Sequence, residues 1–408
     1  MLNLKSIIVE EKNTHMTHIE ELMFLGGVDG TRQAINFLRD LRDMLKGNTT
    51  SAVDITVKWD GAPAIFAGVD PADGKFFVAK KGLFNKEPAM YKTPADIKKA
   101  LSGELAKKFT IALAEFSKLG IKKGVYQGDM MFTKGDVKIE TIDGQKYYTF
   151  QPNTIVYAVP VSTPLGRQIA KAKIGVVWHT TYTGSTIQNM SAAFGKGIAS
   201  KFKKTASIWM DDATYRDISG KATFSKEELS QFDTMLSGAG KLFQKMNGDA
   251  FRTITQDEEL RQKVMTFVNT YVRGSKAFPD SDKMATGLVL YLNEWFQKEI
   301  DKKKTEKAKD AWKERRDVLV NKVAMNKSQL VAMFSLMKIL VELKGMVITQ
   351  LDKTQEVDTL LKTAKGFQVT KQEGFVAIDK LKGGAVKLVD RLEFSRANFS
   401  PDIIKGWQ

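Results

Sequence analysis

The chain contains no cysteine and only three histidines, His15, His18 and His179, in 408 residues. Without thiols there is no disulfide framework, no thiolate metal site and no cysteine nucleophile. That composition fits a reducing compartment, so a cytoplasmic location is expected. The three scattered histidines offer no obvious zinc site. Glu10, Glu11 and Lys12 stand where a signal peptide would need an apolar core, so none is expected. The most apolar run, Leu330 to Ile348, is interrupted by Lys338, Glu342 and Lys344. It reads as a buried amphipathic helix rather than a membrane span. No internal repeat is visible.

Acidic residues are also in deficit. There are 47 Asp and Glu against 63 Lys and Arg, a formal charge of +16. Such a field favours a polyanion, most simply nucleic acid, with plain solubility as the alternative. Hydrophobic residues make up 43% of the chain, enough for a folded core, and the length suits two or three domains.

The chain is organised around Asp54-Ile55-Thr56-Val57-Lys58-Trp59-Asp60-Gly61. The two-residue alternation is that of a half-buried strand. Lys58 and Asp60 leave it on the same face, and Gly61-Ala62-Pro63 ends it. A strand lysine beside a carboxylate, before a glycine that admits a ligand closely, suits a covalent lysine nucleophile. A surface Lys–Asp pair is the alternative.

Residues Ile7 to Val9 read as a short strand or arm. Thr17 and Glu20 are spaced as a capping box for a short helix that Gly26-Gly27 should stop. Asp29 or Thr31 would cap the next helix, whose exposed face carries Arg32, Arg39, Arg42 and Lys46. After Gly47-Asn48-Thr49-Thr50, strands are expected at Val53–Trp59, Ala64–Ala67 and Phe76–Ala79, and a helical stretch over 94–119. Further strands are expected at Val125–Phe132, Tyr147–Phe150, Ile155–Val161 and Ile174–Tyr182. Phe194 to Leu361 carries no convincing strand alternation. Helical patterns cover Lys226–Met246, Asp257–Val272, Met284–Arg316 and Lys327–Gln350. Strands return at Gly374–Ile378 and Ala385–Val389. The expected division is an N-terminal helical segment at 1–50, a discontinuous sheet domain at 51–185 plus 366–400, and a helical insertion at 186–365.

Four stretches accompany Lys58. They are Lys80-Lys81-Gly82, Tyr126-Gln127-Gly128-Asp129, Glu373-Gly374-Phe375-Val376 and Val386-Lys387-Leu388. Their order and their places beside strands resemble the motifs of the covalent nucleotidyltransferases: ATP-dependent RNA and DNA ligases and mRNA capping enzymes. The start of the chain also resembles proteins of tailed bacteriophages. The resemblance covers about 51–185 and 366–392. It implies an α+β fold in which a mixed or antiparallel sheet, the ligase adenylation domain, is interrupted by a large all-α insertion. Lys58 would be the nucleophile that accepts the nucleotide, assisted by Asp60 and Lys387. Gly61, Lys80, Tyr157, Glu373 and Lys387 would bind the nucleotide. Asp129 and Glu373 would hold a divalent metal. ATP and Mg²⁺ are the implied cofactors. The implied substrate is RNA or DNA with 5′-phosphate and 3′-hydroxyl ends, with a protein partner open to the insertion and no membrane.

Departures accompany the resemblance. Asp129 stands where the family usually has Glu, Lys80 where ligases usually have Arg, and Lys387 lacks the second lysine of its motif. The short stretch after Leu392 leaves no room in this sequence for an oligonucleotide-binding barrel, which favours a compact RNA-ligase-like protein. The rival reading is a non-catalytic nucleic-acid-binding or phage structural protein that keeps a decayed nucleotidyltransferase fold.

Overall fold

The computed structural model describes residues 17–46, 53–194, 197–213, 223–354, 357–364, 366–370, 373–379, 385–400 and 402–406. The arm at Ile7–Val9, the loop Gly47–Thr50, His15, Lys371 and Gln372 lie outside the described residues.

The described residues form an α+β fold, with three sheets and a set of long helices among them. The first sheet joins β1 (Val53–Lys58), β13 (Gly374–Asp379) and β14 (Ala385–Leu388) in the order β1-β13-β14, all antiparallel. The second has the order β10 (Ile208–Asp212), β8 (Ile174–Thr183), β4 (Val125–Thr133), β2 (Ala64–Val69) and β3 (Phe76–Ala79), with β9 (Ser191–Phe194) added to β8. Its pairs are antiparallel except β10 with β8. The third runs β12 (Gly366–Val369), β11 (Asp358–Thr363), β7 (Ile155–Pro160), β6 (Gln145–Phe150) and β5 (Lys138–Ile142).

The first sheet positions the site, and its register follows from the two-residue period. Val57, Phe375 and Leu388 lie side by side, as do Ile55, Ala377 and Val386. These residues join the large apolar core of the helical half. The intervening row, Val376 and Lys387, must face the other way, with Lys58 opposite Gly374 one step along. The sheet therefore presents Lys58 and Lys387 together on the face turned from the helices.

That core gathers α1 (Leu22–Leu45), α5 (Lys226–Lys245), α6 (Gly248–Gln256), α7 (Glu258–Arg273), α8 (Ser281–Asp301), α9 (Glu306–Met325) and α10 (Lys327–Leu351). The apolar run at 330–348 is the buried stripe of α10. Among the described residues no helix is long and apolar enough to cross a membrane. The remaining helices are α2 (Pro94–Ala100), α3 (Gly103–Phe116), α4 (Pro164–Lys171) and α11 (Arg391–Phe399).

Several local expectations are corrected. The stretch 94–119 divides, because Leu101 takes an extended conformation between α2 and α3. Met284–Arg316 likewise divides, where Thr305 caps α9 by accepting from the Ala308 N–H. Gly26-Gly27 does end the first helical segment: Gly27 takes a non-helical φ of +56°, and the two segments of α1 meet there at a kink. Thr31 is no cap, since its hydroxyl donates to the Gly27 carbonyl. At the N-terminal turn it is Glu21, not Glu20, that reaches back, accepting from the His18 N–H at 3.2 Å. The region read as free of strands contains β10 and β11. Both are short and lie against strands outside it, β8 and β7, so local alternation had little to display.

Candidate active site

Lys58 ends β1 with its side chain 27% exposed, and its ammonium forms an ion pair with the carboxylate of Glu373. Glu373 is 7% exposed, and its Oε2 is buried with no hydrogen-bond partner among the described residues. It is delivered by Gly374, whose φ of +145° and whose approach to the Leu388 carbonyl, 2.6 Å from where a Cβ would stand, leave room for glycine alone. Lys387 lies on the same face of the next strand, β14.

The second sheet brings Asp129 to meet them. Asp129 sits in β4 between Ala64 of β2 and Val177 of β8. Gly61 has a different use from the one expected, close approach of a nucleotide. A Cβ there would lie 2.5 Å from Cβ of Asp129, so the glycine lets the chain after Lys58 pass against the aspartate. The β4–β8 register slips between Gln127 and Gly128, which face Thr180 and Trp178, so His179 is the extra residue of a bulge. Bulges redirect side chains, and here the imidazole Nε2 lies 3.7 Å from Asp129 Oδ2 while Nδ1 lies 2.7 Å from the Thr180 hydroxyl. His179 is a site residue that sequence reading did not single out. Its signal was slight: one titratable group at the end of the apolar run Ile174 to Trp178.

The structure corrects three further assignments. Asp60 is 5% exposed and its carboxylate is fully engaged, accepting from Asn153 Nδ2 at 2.8 Å and from the backbone N–H groups of Thr154 and Ile155 at 2.7 and 2.8 Å. It ties the end of the Lys58 strand to the start of β7, a positioning role rather than a catalytic one. Tyr157 is no nucleotide contact. It is wholly buried, packs on Trp59 with ring centroids 5.1 Å apart, stacks on Phe150, and accepts the Asp60 N–H through its hydroxyl. Both faces of β7 are covered. Lys80 and Lys81 are both exposed just past β3, and it is the charge of Lys81 that opposes the rise of Asp129.

The electrostatics follow from this crowding. Burial pushes the Asp129 carboxyl up to about 7, with Asp60 adding to the rise and Lys58 and Lys81 opposing it. Burial also pushes Glu373 up to about 7, with Asp60 and Asp129 adding to the rise against Lys58. Burial, with the charge of Lys58, holds His179 down to about 4, so the imidazole is neutral. Burial first, then Lys58 and Arg391, lowers Lys387, against Glu373 and Glu21. Beside Glu373 lies a small cavity of about 30 Å³, lined by Ile155, Ile348, Phe394 and Asn398 among others. Among the described residues no cluster of three side chains suited to a metal ion is present. The expected metal pair, Asp129 and Glu373, offers oxygen donors that suit Mg²⁺, which takes one or two carboxylates and fills its remaining positions with phosphate and water.

A family model described as a family of unknown function (DUF6267) matches residues 13–402, and the chain belongs to that family. No curated protein and no solved structure matches it.

Proposed function

We propose that this member of the DUF6267 family is a covalent nucleotidyltransferase of the ligase kind, which takes AMP from ATP onto Lys58 and passes it to a polynucleotide 5′-phosphate for joining to a 3′-hydroxyl. The observation that carries the reading is convergence. Lys58 and Lys387 come from the outer strands of one sheet, Glu373 from just ahead of the strand between them, and Asp129 and His179 from a second sheet, with charges close enough to shift one another's protonation.

The amine must be neutral to attack. Glu373, paired with Lys58 and titrating near neutral pH, accepts its proton. Lys58 Nζ then forms a bond to the α-phosphorus as the bond to the bridging oxygen breaks, and pyrophosphate leaves. In the second step a 5′-phosphate oxygen displaces Lys58 from that phosphorus, and the amine recovers a proton. A 3′-hydroxyl next attacks the activated 5′-phosphorus and releases AMP. Lys387 and Lys81 offset the charge that grows on the phosphates. Asp129 would hold Mg²⁺ together with the nucleotide phosphates, and the ion would supply charge neutralisation at the leaving pyrophosphate. The excess positive charge of the chain suits a nucleic-acid substrate.

The test is incubation with α-labelled ATP and Mg²⁺. A label that survives denaturation and is lost in Lys58→Arg supports the reading. Absence of label with every nucleoside triphosphate favours the binding protein with a decayed site. Sealing of nicked duplexes or single-stranded RNA then separates a ligase from other transferases.

A further inference from the structure

Behind Lys387 lies a second group of charges that the proposed chemistry leaves unused. Glu20 and Lys344 are each 2% exposed, and the Lys344 ammonium donates to both Glu20 oxygens at 2.7 and 2.8 Å. Arg391, at the start of α11, pairs with Glu21 at 2.9 Å, lies 3.7 Å from Glu20 and donates to Asn269 of α7. Three separate parts of the chain therefore meet: the N-terminal turn, the middle of α10 and the C-terminal helix. The same turn touches the site strand. The Lys387 N–H donates to the Thr17 carbonyl at 2.9 Å, and His18 forms a parallel bridge with Lys387.

A buried ion pair is a weak source of stability, because desolvation offsets most of the attraction. What such a cluster does well is fix one arrangement over its alternatives. We propose that residues 17–21, held by Lys344 and Arg391, are a positioning device for Lys387, with Thr17 fixing its backbone. The device gives the helical half a direct hold on the site lysine, so a ligand that disturbs α10 would reach Lys387 through Glu20 and the turn. The inference concerns the site of the proposed transferase, but its test needs no transfer.

The test follows hydrogen exchange of the Lys387 amide by NMR in the full chain. In the double variant Glu20→Gln/Lys344→Met, which removes both buried charges, the amide is expected to exchange with solvent at least about tenfold faster. Glu21→Gln, which keeps the size of the side chain and an acceptor for the His18 N–H but removes the ionic partner of Arg391, is expected to speed the same exchange about threefold. An unchanged rate in either variant overturns the proposal. Should the double variant not fold, Glu21→Gln alone decides it. Failure of Lys58 to take a label would end the transferase reading and leave this result standing.

Discussion

The molecule buries carboxylates in two places and treats them oppositely. Around Glu20, burial opposes ionisation, but Lys344, His18 and Arg391 overcome it and the carboxyl is held below its ordinary range. Around Lys58, burial wins, and Asp129 and Glu373 both rise to about 7. The difference is one of partners. Glu20 has a lysine to itself and an arginine nearby. Asp129 and Glu373 lie near Lys58 together with Asp60, whose oxygens are already occupied by 153–155. Glu20 is satisfied by its partners, while Glu21 beside it is raised by burial. Around Lys58, burial outweighs the lysines present.

The two clusters respond to pH with opposite signs. Glu20 binds protons less readily folded than unfolded, so its contribution is present above about pH 4.5 and is lost as pH falls through its depressed folded value. Asp129 and Glu373 hold protons in the folded chain that the unfolded chain releases near pH 4. Stability therefore falls as pH rises from about 4 to about 7 on their account, and the penalty persists above that.

Substitutions sharpen the contrast. The largest effect is expected from Lys344→Met, which strands a buried Glu20 and costs about 3–5 kcal/mol by chemical denaturation, while adding Glu20→Gln recovers most of it. A loss below about 1 kcal/mol for the single variant would mean that Glu20 is not the satisfied partner described here. Next comes Asp60→Ala, which leaves the donors at 153–155 unpaired and costs roughly 2–4 kcal/mol, with little change in pH dependence. The smallest is a gain. Asp129→Asn removes a charge that folding disfavours and is expected to stabilise the chain by about 1–2 kcal/mol at pH 8, with a smaller gain at pH 5. Destabilisation at pH 8 would place Asp129 in the satisfied class instead.

Much of the site was legible where a strand has one covered face. The alternation around Lys58 and the glycine after Glu373 both identified their strands, and their pairing puts Lys58 opposite Gly374. What local pattern could not carry was the environment on the far side of each element. Ile155 to Val159 are all buried, so the run gives no sign that Tyr157 packs on Trp59 rather than on a ligand. Lys81 gains its place from the single turn that follows β3, which turns the chain within one residue of Lys80. His179 faces Asp129 only because of a bulge, and a bulge depends on the partner strand. The Glu20–Lys344 pair joins residues far apart in sequence, where no short-range period applies.

The central claim is that Lys58 is a nucleophile held beside its proton acceptor. It is tested most directly by peptide mapping in a mass spectrometer after incubation with ATP and Mg²⁺ at pH 8. The account predicts a single AMP adduct on the peptide bearing Lys58, absent in Lys58→Arg and strongly reduced in Glu373→Gln. An adduct on another lysine, or an unmodified Lys58 peptide with each of the four nucleoside triphosphates, would contradict it.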